Sequence, residues 1–520
     1  MKRRDFLHDS LHTIAGAGLF SGMGSYGASK RNLNSLLGFN PDNDHVLVII
    51  FLNGGNDGLN SVVPMNQLSI LNQLRPHVAL PDSSLLPLNG TDLAFHPSMS
   101  GLRDLFHEDR LKIVRAVGYQ EQNFSHFRST DIWMSGSDAD EVLNSGWMGR
   151  YLNEDYPGYP QAFPTSSMPD PLAIEIGFGN SLLFQGPQSN TAMVINGERA
   201  FYELYSDTID DVPDTKYGDK LEHVKLIRRQ SQVYGEVVRD AANRVSQQRT
   251  YPDSNLAQQL RIVARLIAGG LRTPVYKVEI GGFDTHGGQV TEGNTTEGMH
   301  ASLLSQLSEA IVAFMDDLEF LGVQDRVMGM TFSEFGRRIV SNASYGTDHG
   351  SAGPMFIFGN HIQTGVLGDH YELDTQMDFT DNLAHQYDFR QLYASMLDQW
   401  LCVPSDKIDN ALSRDYQSIP LINPSACQVS TSTLDFVEER DIMKVFPNPV
   451  SDMLHIEFKE TRDQVHIHLI GQDGRLIKNL AAGQLSSPRL TFNVSHLPPG
   501  LYYLQVFSKQ RKTRSTFVKI

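Results

Sequence analysis

Six short apolar runs set the frame for this chain: "HVLVIIFL" (45–52), "LKIVRAVG" (111–118), "LAIEIGF" (172–178), "VYKVEIGG" (275–282), "RVMGMTF" (326–332) and "PMFIFG" (354–359). Such runs read as strands buried on both faces rather than half-solvated ones. Helical patterns lie between them. In "LLSQLSEAIVAFMDDLEFLG", residues Leu303, Leu304, Leu307, Ile311, Phe314 and Leu318 recur every three or four positions and share one helix face. Strands alternating with helices imply parallel pairing through crossover connections, hence an α/β sandwich over roughly residues 40–425. At 520 residues the chain is too long for one ordinary domain.

The pattern changes toward the C-terminus. "SACQVSTSTLDFVEERD" is Ser/Thr-rich and then charged, and residues 426–441 read as a linker. From 442 to 520 no long helical pattern appears. Runs such as "MLHIEF", "QVHIHLIG", "LTFNV" and "LYYLQVF" alternate with polar turns, the pattern of a small all-β sandwich.

Charge and cysteine content exclude some functions. With 43 basic and 60 acidic residues the formal charge is −17, which disfavours binding to nucleic-acid phosphates. The two cysteines, Cys402 and Cys427, allow one disulfide but no disulfide framework. At the N-terminus, Lys2, Arg3 and Arg4 precede a mildly apolar, small-residue stretch, so residues 1–30 read as an export signal. Its paired arginines resemble a twin-arginine signal, which implies the twin-arginine translocase as a partner. No later segment has the roughly 18 uninterrupted apolar residues of a membrane span.

In a parallel α/β sheet, ligands bind at the carboxyl ends of strands. The first run is followed by Asn53, Asn56 and Asp57, the fourth by Asp284 and His286. "SEFGRR" after the fifth supplies Ser333, Glu334, Arg337 and Arg338, and "GTDHG" before the sixth supplies Asp348 and His349. Asp and Asn beside Gly also favour plain turns. Four polar strand ends together point to a shared metal or anion site. Mixed oxygen and nitrogen donors suit zinc, manganese or iron better than calcium or magnesium. Arg337 or Arg338 is either a surface charge or an oxyanion clamp.

The segments "FLNGGNDGLNSVVP", "FHPSM", "NFSHFRSTDIWMSG", "GWMGRYL", "GGFDTHGGQ", "TFSEFGRR" and "GTDHGSAGPMFIFG" resemble, in order, the bacterial domain-of-unknown-function family fifteen-hundred-and-one. That family lies in the alkaline phosphatase and sulfatase superfamily. The resemblance implies an alkaline-phosphatase-like α/β/α sandwich with a mostly parallel central sheet, one or two divalent ions (zinc or manganese), and a Ser, Thr or formylglycine nucleophile. Carried over, it nominates Asp284, His286, Glu334 and His349 as metal ligands. The first ligand is Asp57 or the less helpful Asn53. Phe335 stands where a ligand histidine is expected, which questions a second ion. Ser125, beside His126, is the favoured nucleophile over Ser129 and Thr130, with a helix cap as the plain alternative. "LCVPSD" is similar to the sulfatase cysteine signature, but Asp406 replaces its arginine, so Cys402 reads as structural.

The tail motifs "VFPNPVSDMLHIEF", "IGQDGRLI" and "LPPGLYYLQV" resemble the type A sorting domain of the type-nine secretion system. This implies that secretion machinery as a partner, and delivery to the cell surface or medium of a Gram-negative bacterium via the periplasm. The combined expectation is an exported metal-dependent hydrolase of phosphate or sulfate esters on small molecules or glycans, with Ser125, His126 and Arg337 catalytic. The alternative is a non-catalytic surface protein of the same fold that binds a glycan or envelope component.

Overall fold

The computed structural model describes residues 43–177, 179, 181–195, 233–424, 426–427, 443–458, 465–470, 476–483, 489–508 and 511–520. The expected signal, 1–30, and nearly all of the expected linker, 426–441, lie outside the described residues. Two compact units divide the chain, one ending at Cys427 and the other starting at Gln428.

The first unit is built on a mixed sheet. Its strands are Val46–Asn53 (β1), Leu111–Gly118 (β2), Ala173–Ile176 (β3), Ala192–Ile195 (β4), Val275–Gly281 (β5) and Val327–Phe332 (β6). A separate hairpin, Arg337–Ser341 (β7) with Thr347–His349 (β8), follows. Gly353–Phe358 (β9) and Gly365–Leu367 (β10) then return to the main sheet. The order is β10-β2-β9-β6-β1-β5-β3-β4, with the short pair Tyr387–Asp388 beside β2. All six apolar runs of the sequence lie in this sheet.

β1 explains the unbroken run of its sequence. Val46, Val48, Ile50 and Leu52 enter one core, with the helices Ser100–His107 (α1), Asn255–Ala268 (α4) and Met299–Leu321 (α5). Leu47, Ile49 and Phe51 enter a second core, with His126–Ser135 (α2), Trp147–Asp155 (α3), Phe389–Ser395 (α6) and Ser405–Leu412 (α7). Successive strand side chains point to opposite faces, and both faces are covered. The result is the expected α/β/α sandwich. In α5, Leu304, Leu307, Ile311, Phe314 and Leu318 are buried as their spacing predicts, and Gly322 ends the helix in a left-handed conformation. Cys402 and Cys427, 25 residues apart, form a disulfide, in keeping with a structural Cys402.

One strand runs against the others. β9 is antiparallel to both β2 and β6, whereas β1 pairs in parallel with β5 and β6. A reversed strand starts at the edge where its neighbours finish. The hairpin before β9 therefore returns to the carboxyl edge, beside the loops that follow β1, β5 and β6.

The second unit is all-β. Met443–Phe446 (β11), Met453–Phe458 (β12) and Arg489–Asn493 (β15) form one sheet; Val465–Ile470 (β13), Leu476–Gly483 (β14), Gly500–Ser508 (β16) and Arg511–Lys519 (β17) form the other. Leu454 and Ile456 from the first sheet share a core with Ile467, Leu469, Leu504 and Phe517 from the second. Among the described residues no helix is long and apolar enough to cross a membrane.

Candidate metal centre

The site begins with two glycines after β1. Gly54 and Gly55 have φ of +123° and +83°, backbone that L side chains rarely adopt. A Cβ on Gly54 would stand 2.3 Å from the Asp284 nitrogen, and one on Gly55 would stand 2.4 Å from the Phe335 ring. Only glycine lets this turn close against the loops after β5 and β6.

Into the same space come His126 at the start of α2, Asp284 and His286 after β5, and His349 at the end of β8. Ligand atoms of His126, Asp284 and His349 all lie within 4.8 Å of one another, a group able to hold a metal ion. His126 Nε2 is 3.4 Å from Asp284 Oδ2, and His349 Nε2 is 3.1 Å from Asp284 Oδ1. His286 Nε2 is 3.2 Å from that oxygen and 2.9 Å from His349 Nε2.

The other nitrogen of each ring is already committed. His126 Nδ1 is 2.8 Å from Glu334 Oε1, His286 Nδ1 is 2.9 Å from Asp348 Oδ1, and His349 Nδ1 is 2.7 Å from the Phe124 carbonyl. A carbonyl or ionised carboxylate only accepts, so each Nδ1 carries the proton and each Nε2 of a neutral ring carries a lone pair. Two bare lone pairs 2.9 Å apart repel. A cation between them, or an added proton, removes the conflict. Rings oriented by outer carboxylates and carbonyls are the usual support of histidine metal ligands.

The charges follow from these contacts. The Glu334 hydrogen bond raises the His126 imidazole above its ordinary range, outweighing partial burial. Burial lowers the His349 imidazole. Partial burial works to raise the Asp284 carboxyl, but the hydrogen bond and positive charge of Arg337 overcome it, and the carboxyl comes down to about 2. Asp284 is therefore an anion at neutral pH. Phe335 is buried, with its ring centroid 5.0 Å from that of His126 and 4.4 Å from that of His349. Where a ligand imidazole was expected, an apolar wall backs two of the rings.

Three expected residues take other positions. Asp57 does not join the cluster: it is 1% exposed, ion-paired with Arg75 and 2.5 Å from Gln289 Nε2, and it caps the helical turn Gly58–Ser61 through Asn60 N–H. Short-range spacing cannot show this, because Arg75 arrives from a separate helix-ending turn. Glu334 faces away from the ring nitrogens that converge. Fully buried, it accepts from the Gly54 and Gly55 N–H groups and from His126, so it holds the His126 ring in place. Arg337 is turned inward. Its guanidinium donates to the carbonyls of Gly54, Gly55, Phe283 and Thr347 and to Asp284, so it ties loops together instead of facing an oxyanion.

Of the hydroxyl candidates, Ser125 is exposed at the N-cap position of α2 but makes no side-chain cap bond. Ser129 is buried and donates to the Glu334 carbonyl; Thr130 is half-buried. Asn56 is buried against His300, with its oxygen 3.0 Å from Nε2. His126, expected beside the serine as a catalytic residue, also lies in the group able to hold a metal ion, which its neighbours in sequence do not suggest. Its position right after a strand-ending loop was the available signal.

Residues 200–417 match the model of a family described as a protein of unknown function (DUF1501). Residues 444–520 match the secretion system C-terminal sorting domain. The tail is a sorting domain. It directs export by type-nine secretion to the cell surface or the medium. No curated protein matches the chain significantly. Among solved structures, it is similar to a protein in the alkaline phosphatase superfamily from Vibrio parahaemolyticus, with 9% identity, 91% of this chain and 81% of that one covered, and a TM-score of 0.30. It is also similar to a Bacteroides thetaiotaomicron structure named for the metabolism of multiple glycosaminoglycans, with 10% identity, 87% and 90% covered, and a TM-score of 0.33. At these scores neither likeness bears on the chemistry of this chain.

Proposed function

We propose that this chain is an exported metal-dependent hydrolase of phosphate or sulfate esters. It would leave the cytoplasm on a signal within residues 1–30 through the twin-arginine translocase, and reach the surface or medium through its tail. The observation that carries the metal reading is the 2.9 Å approach of two imidazole Nε2 atoms whose Nδ1 atoms are both held by acceptors. His126, His286, His349 and Asp284 would hold one divalent ion. Three imidazoles and a carboxylate suit zinc or manganese.

When bound, such an ion polarises an ester oxygen and makes a water nucleophile available near neutral pH. The chain's own residues do the rest. Glu334, Asp348 and the Phe124 carbonyl keep the three rings facing inward. Arg337 keeps Asp284 ionised, and Phe335 keeps water from one side. Ser125, exposed beside His126, is the candidate for a covalent nucleophile.

The inward turn of Arg337 favours a second reading, a surface protein that binds a glycan or envelope component without turnover. One experiment separates them. Purified mature protein is assayed for bound metal and for turnover of aryl phosphates, phosphodiesters and aryl sulfates, before and after dialysis against a chelator. Hydrolysis that chelation abolishes and zinc or manganese restores is the expected result. A folded protein that takes up metal but turns over nothing supports the binding protein; one with neither metal nor turnover refutes the hydrolase and the metal centre.

A further inference from the structure

The motif "GGFDTHGGQ" ends in a glutamine to which neither the ligand set nor the chemistry above gives a role. Gln289 is fully buried, and three buried polar groups meet its amide. Its Nε2 donates to Asp57 Oδ2 at 2.5 Å. Its Oε1 accepts from the Thr285 hydroxyl at 3.2 Å and from the Thr347 hydroxyl at 2.7 Å. The amide orientation is settled by its partners, since Asp57 ionised can only accept.

Those hydroxyls occupy telling positions. Thr285 lies between Asp284 and His286. Thr347 immediately precedes Asp348, which orients His286, and His349. The two loops also meet directly, through Thr347 N–H to the Thr285 carbonyl at 3.2 Å. One side-chain oxygen thus pins both ligand-bearing loops, and the same amide anchors them to the buried pair of Asp57 and Arg75. Backbone on its N-terminal side is held as well: Gly288 N–H donates to the Ser344 carbonyl at 3.1 Å. His286 and His349 come from different strand ends, and their 2.9 Å approach requires the loops to keep this register.

We propose that Gln289 is a positioning residue of the metal centre, fixing the spacing of His286 and His349 through Thr285 and Thr347. The inference rests on the metal reading above. It also gives Asp57 a part in the site without making it a ligand.

The test compares Gln289→Glu, Thr347→Val and Thr347→Ser in the full mature chain. Zinc affinity is measured by competition with a chromophoric chelator, and ligand geometry by the visible spectrum of the cobalt-substituted protein. Gln289→Glu loses the donor and sets two carboxylates face to face. Thr347→Val keeps the shape and removes the hydroxyl; Thr347→Ser keeps the hydroxyl. Loss of an outer partner of this kind weakens metal binding about 10–100-fold. That loss and an altered cobalt spectrum are expected for Gln289→Glu and Thr347→Val, with recovery in Thr347→Ser. If Gln289→Glu does not fold, the Val and Ser pair decides. Unchanged affinity and spectrum in folded variants overturn the role of Gln289 alone. A wild-type protein that binds neither zinc nor cobalt overturns the metal reading and this inference together.

Discussion

Replacing Asp57 with asparagine separates a ligand from a structural anion. The carboxylate is 1% exposed, and its partner Arg75 is equally buried. Arg75 retains the carbonyls of Arg338 and Ile339, each at 3.0 Å, but among the described residues no second carboxylate pairs with its guanidinium. Asparagine therefore leaves a buried cation unpaired, and its amide group meets the donors of Arg75 or Gln289. Breaking one side of a buried pair costs about 3–5 kcal/mol. A unit of roughly 400 residues has an unfolding entropy of about 0.8 kcal/mol/K, so the melting temperature falls about 4–6 °C. Differential scanning calorimetry of the metal-loaded protein reads the shift, and metal analysis of the same sample reads the stoichiometry. The expected outcome is a lower melting temperature at unchanged stoichiometry, whereas Asp284→Asn loses the ion. An Asp57→Asn protein that melts normally but carries less metal would refute the placement of Asp57 outside the centre.

Two further outcomes follow from the same geometry. Gly54→Ala places a methyl group within 2.3 Å of the Asp284 backbone at a φ of +123°, so lower thermal stability and weaker zinc binding are expected together, read by melting and by chelator competition. Burial lowers the buried imidazoles of His96 and His300 to about 3 and about 4, from an ordinary value of 6.5. The folded state therefore binds fewer protons than the unfolded state in this range. The stability that these rings contribute is complete above about pH 6.5 and is lost as pH falls toward 3. Urea midpoints measured from pH 7 to 4 should decline, and His96→Asn, which keeps an acceptor for Ser98 N–H, should flatten the decline.

The sequence carried the frame of this molecule because that frame is written in local periods. β1 is an apolar run since both its faces are covered, and α5 shows its buried stripe in the order of its own residues. The sorting tail was legible from its alternating strands and motifs. So was the gathering of polar groups at strand ends, because a parallel sheet delivers every loop to one edge. Asp284, His286 and His349 come together as their positions after or before strands implied. Local order could not say where each side chain would turn.

Those directions were decided by tertiary contacts between distant segments. Glu334 became a support because the tight turn at Gly54 and Gly55 offers it two N–H groups in a space closed to water. Arg337 turned inward because four carbonyls and Asp284 surround it, and a buried guanidinium must satisfy its donors. Asp57 found Arg75, and His126 came within 3.4 Å of Asp284 beside the Phe335 ring. The sequence determined which polar residues reach the carboxyl edge. Tertiary contacts there decided which atoms face one another: His126, His286 and His349 are held at Nδ1 so that Nε2 turns toward Asp284, whereas the carboxylates of Asp57 and Glu334 are taken up by other buried donors.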